Sequence, residues 1–490
     1  MVTNLADRVM HGLRWATFVR LVTQIMAWSV TIVVMRLLTP EDYGLVSLTG
    51  IFVMYAGVIS ELGLGAALVQ SRLNSETVLR SAFGAVLLLS LACCAALIAS
   101  AGWIAEFFGE PTLRPMVQFT ALQFPISILG TIPHALLSQR LQFREISLAG
   151  LISAMAQSGV TLLLAWLYPG PWALLIGTLV ATIVRIAVLN VYSPITFPPS
   201  FKFEPLRPIM RVAVFIFGER SLWYWYGQFD SFIIGKRLGA HDLGAFSTAK
   251  LLASLPLDKA MEVINQVSFP AFSAINDDIE RVRASYGKAL RITAIYAFPI
   301  FWGLAAVAPD VMYLLLGEKW LSAGLPAAIL SLAMPARMLT SIGSPVLLAL
   351  GRSDVSMRLL VQTFIIVGAG LLIGSRWGLL GVSIGWAVAI PVASIWATLI
   401  ALRIMNMPLR EYLKHVRGAA IAAAAMMLLI EFGIEPLLAS APTVVRVAAQ
   451  VAAGVAAYWV ALSILDRDGR DETLGMVKRV LGRGDPAAAS

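Results

Sequence analysis

Apolar runs of about 17 to 25 residues recur roughly fourteen times between Trp15 and Leu465, each long enough to cross a hydrocarbon core of about 30 Å at about 1.5 Å of helix rise per residue. That core holds no water to satisfy backbone groups, so runs of this kind have to be α-helices. The expected fold class is an all-α polytopic membrane protein. The predicted spans are approximately 15–38, 44–69, 82–104, 116–138, 147–168, 171–192, 211–234, 244–268, 290–316, 324–349, 358–375, 377–402, 417–434 and 443–465. They leave only short loops and a tail at 466–490, with no room for a soluble catalytic domain, and the chain is not expected to be an enzyme. The stretch before Trp15 lacks a small-residue cleavage site ahead of a short apolar core, so it is expected to be retained as the start of the first helix.

The chain has 490 residues, of which 59% are hydrophobic and 13% charged, with a formal net charge of +9. Basicity of that size raises the question of nucleic acid, but its distribution answers it. With the N-terminus taken as cytoplasmic, about two thirds of the Lys and Arg fall in cytoplasmic loops and tails, which is the positive-inside asymmetry. Arg8, Arg14, Arg72, Arg80, Arg140, Arg144, Lys202, Arg207, Arg281, Arg283, Arg352, Arg358, Arg410, Lys414 and Arg417 share one side. Both termini are then cytoplasmic, and nucleic acid is not expected as a partner. Cys93 and Cys94 are adjacent on one span with no second pair to bridge, and read as small apolar fillers. The four histidines are scattered without ligand spacing, so neither a metal nor a cofactor is expected.

Residues 193–210 carry a cluster of prolines and separate six helices from the rest. The expected organisation is an N-terminal six-helix lobe (1–192), a cytoplasmic linker (193–210), a second six-helix lobe (211–402), two additional helices (403–465) and a cytoplasmic tail (466–490). The halves echo one another. Asp42-Tyr43-Gly44 with Ser47 matches Asp242-Leu243-Gly244 with Ser247, Gly109-Glu110 matches Gly317-Glu318, and Pro133 with Arg140 matches Pro345 with Arg352. Landmarks that keep their order indicate an internal duplication. Six is an even number of crossings, so the copies share orientation and a pseudo-two-fold axis along the membrane normal is expected. Two parallel lobes imply an interface near mid-membrane that can open to either side, which is a transporter plan.

An ionisable group at the centre of a lipid-facing helix costs several kcal/mol, so those retained in the spans should face protein or a hydrated cavity. On the eighth predicted span, Lys250, Ser254, Asp258, Glu262 and Asn265 fall within a stripe of roughly 120°, with Lys259 and Gln266 at its border. The stripe reads either as a hydrated cavity wall or as an internal salt-bridge network. Pro256 is expected to break this helix in the middle. On the seventh span, Glu219, Trp223, Tyr226 and Asp230 share a face, next to Arg220 and within the run Trp223-Tyr224-Trp225-Tyr226. Rings at that depth suit packing against sugar rings; the alternative is aromatic core packing with a local Glu219–Arg220 pair. Arg20, Thr23, Gln24 and Thr31 form a weaker polar face on the first span. Arg185 and Glu61 are either functional or snorkelling to the nearby cytoplasmic end, whereas Arg337 sits near the centre of its span. The candidate substrate-binding residues are Arg20, Gln24, Arg220, Trp223, Tyr226, Lys250, Lys259 and Arg337. The candidate ion- or proton-coupling residues are Glu61, Glu219, Asp230, Asp258 and Glu262. Fixed cations at depth favour a polyanionic head group such as a phosphate over a cationic drug.

The runs RLLTPEDYGLVSL from Arg36, ELGLGAALVQ from Glu61 to Gln70 and LSQRLQFREIS from Leu137 to Ser147 are the most distinctive in the chain. With them, the sequence resembles the polysaccharide transporters, or Wzx-type flippases, of the multidrug/oligosaccharidyl-lipid/polysaccharide exporter superfamily. The resemblance covers the whole chain in span number and lobe plan. It implies translocation of an undecaprenyl-diphosphate-linked oligosaccharide across the bacterial inner membrane for exopolysaccharide or lipopolysaccharide synthesis, by alternating access through a cationic inter-lobe cavity. It also implies membrane lipids, a polysaccharide polymerase and export proteins as partners, and it carries over no site residue by motif. No GxxxxGK[ST] occurs in the sequence, so energy is expected from an ion gradient or from consumption of the product. The rival reading within the same superfamily is an ion-coupled drug or organic-cation antiporter, which calls for acidic depth. A membrane-embedded glycosyltransferase or polymerase calls for a large aqueous loop with catalytic groups, and 193–210 and about 269–289 are short.

Overall fold

The computed structural model describes residues 24, 26–62, 76–140, 142–195, 197–466 and 469–470. Among these the regular structure is all helical. In chain order the helices are α1 (Met26–Leu37), α2 (Pro40–Glu61), α3 (Glu76–Phe108), α4 (Leu113–Ala121), α5 (Gln123–Gln139), α6 (Phe143–Leu167), α7 (Trp172–Tyr192), α8 (Arg207–Leu238), α9 (Ala240–Ser273), α10 (Ile279–Leu316), α11 (Leu321–Ser341), α12 (Gly343–Ala349), α13 (Ser353–Gly374), α14 (Gly378–Ile404), α15 (Leu409–Leu429) and α16 (Thr443–Leu465). Each expected span overlaps a helix.

Ten segments among the described residues are long and apolar enough to cross a bilayer. One of them, Ser353–Ile404, is α13 and α14 joined by a single 3-10 turn. The helices α8 and α9 are absent from those ten, although they run 32 and 34 residues, and these two hold most of the candidate charges. The helix α9 is unbroken at Pro256, contrary to expectation. A proline removes one donor and leaves one carbonyl to find another partner, which a helix held by its neighbours tolerates.

By contacts the chain separates into two compact units, Met1–Gly244 and Ala245–Ser490, so that α8 belongs with the first. In the first unit, α2 starts on a capping box. The Thr39 backbone N–H donates to Asp42 Oδ2 at 2.8 Å, the Asp42 N–H donates to Thr39 Oγ1 at 3.3 Å, and Pro40 occupies the first turn. The start of α9 lies directly against this one. A Cβ on Gly44 would overlap the carbonyl of Ala240, and a Cβ on Gly244 would overlap the carbonyl of Pro40. The two partners of the duplicated Asp-x-Gly motif thus meet in a reciprocal contact that only glycine permits.

The proline-rich stretch 193–206 is no free linker. The Ser200 N–H donates to the Arg80 carbonyl of α3 at 2.9 Å, and the Ser200 carbonyl seats where a Cβ on Gly84 would otherwise stand. Leu206, with Ile195 and Phe197, packs on Val78, Ala82, Phe83 and Val86 of α3. In the second unit, Asp278 caps α10 by accepting from the Glu280 and Arg281 N–H groups at 3.0 Å. The stretch expected as a loop near 269–289 is therefore mostly helix, the end of α9 and the start of α10. The core of this unit gathers Tyr286, Leu290, Leu339, Ile342, Ala419, Ala422 and Tyr458 from α10, α11, α15 and α16. Arg283 pairs with Glu411 between α10 and α15, and Arg446 pairs with Asp310 between α10 and α16, with Nε to Oδ2 at 2.6 Å.

Candidate functional site

The first unit holds an open cavity of about 820 Å³ with a mixed polar and apolar lining. Its walls come from α2 (Gly57, Ser60, Glu61), α3 (Val86, Ser90), α5 (Gln123, Ser127, Thr131, His134, Ser138), α7 (Thr182, Arg185) and Arg220 of α8. Several hydroxyls spend their protons on their own helices: Ser60 donates to the Gly57 carbonyl at 2.9 Å, Ser127 to Phe124 at 3.0 Å and Thr182 to Thr178 at 3.0 Å. Their oxygen lone pairs therefore face the cavity as acceptors, suited to a ligand rich in O–H donors.

Arg220 and Glu61 face one another across the cavity wall, Nη1 to Oε2 at 3.1 Å, with side chains 45% and 53% exposed. An ion pair this wet contributes at most about 1 kcal/mol, so the guanidinium can exchange its carboxylate for another anion cheaply. Arg185 on α7 lies close enough to His134 for its charge to act on the imidazole, and Glu61 does so from α2. Two guanidiniums against one carboxylate leave the cavity positive.

The α5 wall is built around Pro133, which cannot donate to the carbonyl four residues earlier. Asn190 of α7 supplies the missing donor, its Nδ2 reaching the Leu129 carbonyl at 2.8 Å and its own helix at Ile186 at 2.9 Å. One turn away α5 and α7 cross closely at Gly130, where a Cβ would stand 3.0 Å from Ile186 Cγ1. Glycine, proline and asparagine together fix the helix pair that carries His134, Ser138, Thr182 and Arg185.

The aromatic run of α8 divides in two. Tyr224 stacks on Tyr55 of α2 with centroids at 5.4 Å, and its hydroxyl donates to the Ile51 carbonyl, while Trp225 packs on the same tyrosine at 5.2 Å. These two are packing residues. Trp223 is 54% exposed and meets Tyr226 edge-on at 5.7 Å, one turn along the helix from Arg220. Glu219 is exposed beside them, whereas Asp230 is buried and accepts from the Ser231 N–H at 2.7 Å.

Arg20 lies outside the described residues, as does the side chain of Glu262, and Gln24 is half-buried and helical just before α1. In the second unit Lys250 is half-buried, Lys259 is exposed, and Asp258 accepts from Ser254 Oγ at 3.1 Å. Arg337 is half-buried with its guanidinium 5.9 Å from the Trp386 ring centroid, a cation–π contact. This unit also holds an apolar groove of about 470 Å³ between α10, α15 and α16, lined by Ile300, Leu304, Met426, Ile430, Val455 and Trp459 among others. Of the sequence candidates the structure brings together Glu61 and Arg220, with Arg185, and it adds His134, Gln123 and the α5 hydroxyls. Ser127, Thr131, His134 and Ser138 follow one another at steps of four, three and four, a one-sided helical stripe visible in the sequence.

A multi-pass helical bundle with an open, arginine-bearing cavity fits a membrane transporter. The fold agrees. The solved structure of "Lipid II flippase MurJ, inward closed conformation" superposes with a TM-score of 0.75 at 16% identity, covering 92% of this chain and 99% of that one. An inward-facing multidrug resistance MATE family transporter of the MOP superfamily superposes with a TM-score of 0.60 at 15% identity, over 79% and 98%. In sequence, the chain is 26% identical to the succinoglycan biosynthesis transport protein ExoT of Rhizobium meliloti (strain 1021), over 99% of both chains. It is 24% identical to the lipopolysaccharide biosynthesis protein WzxC of Escherichia coli (strain K12), over 84% of both. The family model described as "Polysaccharide biosynthesis protein" matches residues 33–324. The chain belongs to this polysaccharide biosynthesis protein family, in agreement with the Wzx-type resemblance carried by Arg36–Leu48 and Glu61–Gln70.

Proposed function

We propose that the protein is a flippase that moves an undecaprenyl-diphosphate-linked oligosaccharide from the cytoplasmic to the outer leaflet of the bacterial inner membrane, for exopolysaccharide or lipopolysaccharide synthesis. The observation that carries this reading is the cavity of the first unit. It has two arginines, one of them in an exchangeable pair with Glu61, set among hydroxyl acceptors, and the exposed Trp223 lies one turn along α8 from Arg220. The guanidiniums suit the diphosphate, the hydroxyls and Gln123 suit sugar O–H groups, and Trp223 with Tyr226 offers apolar ring faces to a pyranose. A volume of about 820 Å³ admits a diphosphate with a few sugar rings but not a long prenyl chain. The chain stays on the lipid side.

Transport then runs by alternating access of the two lobes, with the carboxylates Glu61, Glu219, Asp230, Asp258 and Glu262 as the groups from which a coupling ion site would be drawn. Arg20, Gln24, Lys250, Lys259 and Arg337 complete the proposed substrate-contacting set. The internal duplication and the reciprocal Gly44/Gly244 contact support two lobes of common origin. The MATE fold keeps an organic-cation antiporter as the second reading; the excess of guanidinium over carboxylate in the cavity weighs against it.

The test is export in a strain lacking the gene. Arg220→Ala is expected to abolish surface polysaccharide at normal protein level and to leave the lipid-linked precursor accumulated inside, with Glu61→Gln milder. Full complementation by Arg220→Ala and Arg185→Ala alike would remove the cavity from the mechanism.

A further inference from the structure

The stretch 193–206 packs on the start of α3 with one side inward, and among the described residues its other side is exposed. Phe201 and Phe203 are 55% and 43% exposed, with Lys202 exposed between them and Arg207 and Arg211 exposed just beyond. Ser200 and Leu206 are anchored on α3, whereas Phe201, Lys202 and Phe203 between them are all exposed.

Helix length fixes the depth of this triplet. The helix α3 has 33 residues, about 50 Å at about 1.5 Å per residue, against a hydrocarbon core of about 30 Å. With the helix upright and centred, each end projects by about 10 Å, which places Glu76 to about Ala82 outside the core and Gly84 at its edge. The other end gives an independent reference. Trp103 is 65% exposed and stacks on Phe107 at 5.6 Å, as residues of an interfacial aromatic belt do. From Gly84, where Ser200 sits, to Trp103 is about 28 Å along the axis, one hydrocarbon thickness. Phe201 and Phe203 therefore stand at the level where acyl chains meet head groups. Lys202, Arg207 and Arg211 stand at the level of the phosphates, on the face that the positive-inside bias assigns to the cytoplasm.

We infer that this segment is a lipid-contacting anchor. Phe201 and Phe203 insert into the interface of the leaflet, and Lys202, Arg207 and Arg211 bind the head groups of anionic phospholipids. Charge complementarity selects this occupant over a protein partner, because Lys202, Arg207 and Arg211 outnumber the carboxylate Glu204 in the segment, and Glu76 on the adjoining end of α3 is paired with Arg80.

The experiment uses the full-length protein in nanodiscs of phosphatidylcholine and phosphatidylglycerol, with Phe201→Cys carrying an environment-sensitive fluorophore. Cys93 and Cys94 are buried and remain unlabelled. Phe203→Cys is the second probe, should the first fold poorly. Expected are quenching by lipids brominated near the top of the acyl chain, weaker quenching by lipids brominated deeper, little quenching by aqueous iodide, and a blue shift that grows with the phosphatidylglycerol fraction. Lys202→Gln should raise the phosphatidylglycerol fraction needed for half of that shift by roughly fivefold, the equivalent of one interfacial cation. Quenching by iodide without quenching by bromolipid at both positions overturns the inference. So does a probe that is wet in nanodiscs and shielded only in native membranes, which would give the surface to a protein partner.

Discussion

Replacing Asn190 with Ala removes the donor that reaches the Leu129 carbonyl at 2.8 Å, and Pro133 ensures that no helical N–H takes its place. The bond lies on an exposed part of the protein surface, and an acceptor left unpaired where no water reaches it costs about 1–3 kcal/mol. Side-chain hydrogen bonds inside membrane proteins measure lower, about 0.6 kcal/mol on average and about 1.7 kcal/mol at most, because the alternative state also finds partners. The expected loss for Asn190→Ala is therefore about 1 kcal/mol. Pro133→Ala restores an N–H that can bond Leu129 from within α5, so in that background the same replacement should cost little, and the coupling between the two sites should be about 1 kcal/mol.

Transport should behave differently from stability. If Pro133→Ala lets α5 straighten by about 20°, the typical bend at a helical proline, Ser138 at about 7.5 Å from the pivot shifts by about 2.5 Å. His134 turns with it. The double variant should then be as stable as the protein with Pro133→Ala alone and should still export poorly. Stability is read from unfolding in bicelles with increasing SDS, followed by circular dichroism, and transport from surface polysaccharide in the deletion strain. An equal cost of Asn190→Ala in both backgrounds would refute the idea that the amide stands in for the missing proline N–H. Normal export by Pro133→Ala would show that the shape of α5 does not matter to the cavity.

Glycine replacements along α2 should divide sharply. Gly44→Ala meets the Ala240 backbone and should sharply reduce the yield of monodisperse protein in fluorescence-detected size exclusion, whereas Gly50→Ala, with open space around it, should leave the yield unchanged. Tyr458→Phe removes the hydroxyl that donates at 2.8 Å to the Ile295 carbonyl, the one freed by Pro299, and should lower unfolding stability by about 1 kcal/mol with export retained. Lys250→Ala should reduce export more than Lys259→Ala, since Lys250 is half-buried and Lys259 exposed; equal losses would contradict the helical phase on which that ranking rests.

The helices were legible because the membrane leaves the backbone no alternative. A long apolar run between charges has one solution, and even the spans expected at 211–234 and 244–268 overlap helices, α8 and α9, although these fall outside the ten most apolar segments. The Glu61–Arg220 pair was only half legible. Both residues were conspicuous as charges in apolar surroundings, but the chain separates them widely and nothing local in the sequence states that α2 lies beside α8. The α5 wall was missed for a different reason. Serine and threonine satisfy themselves on the preceding turn, so each looks innocuous alone, and a lone histidine in an apolar span reads as packing. Their regular spacing was the available signal. The docking of 193–206 on α3 was illegible, because prolines suggest a linker and the glycine that receives it, Gly84, is far away in sequence.

The Gly44/Gly244 contact ties two distant stretches of sequence to one steric condition. Each motif touches the other with the same atoms that the other uses in return, as identical subunits do across a two-fold axis. A side chain at either glycine displaces the backbone that opens the other helix, so the starts of α2 and α9 are set jointly and neither position tolerates a change made alone.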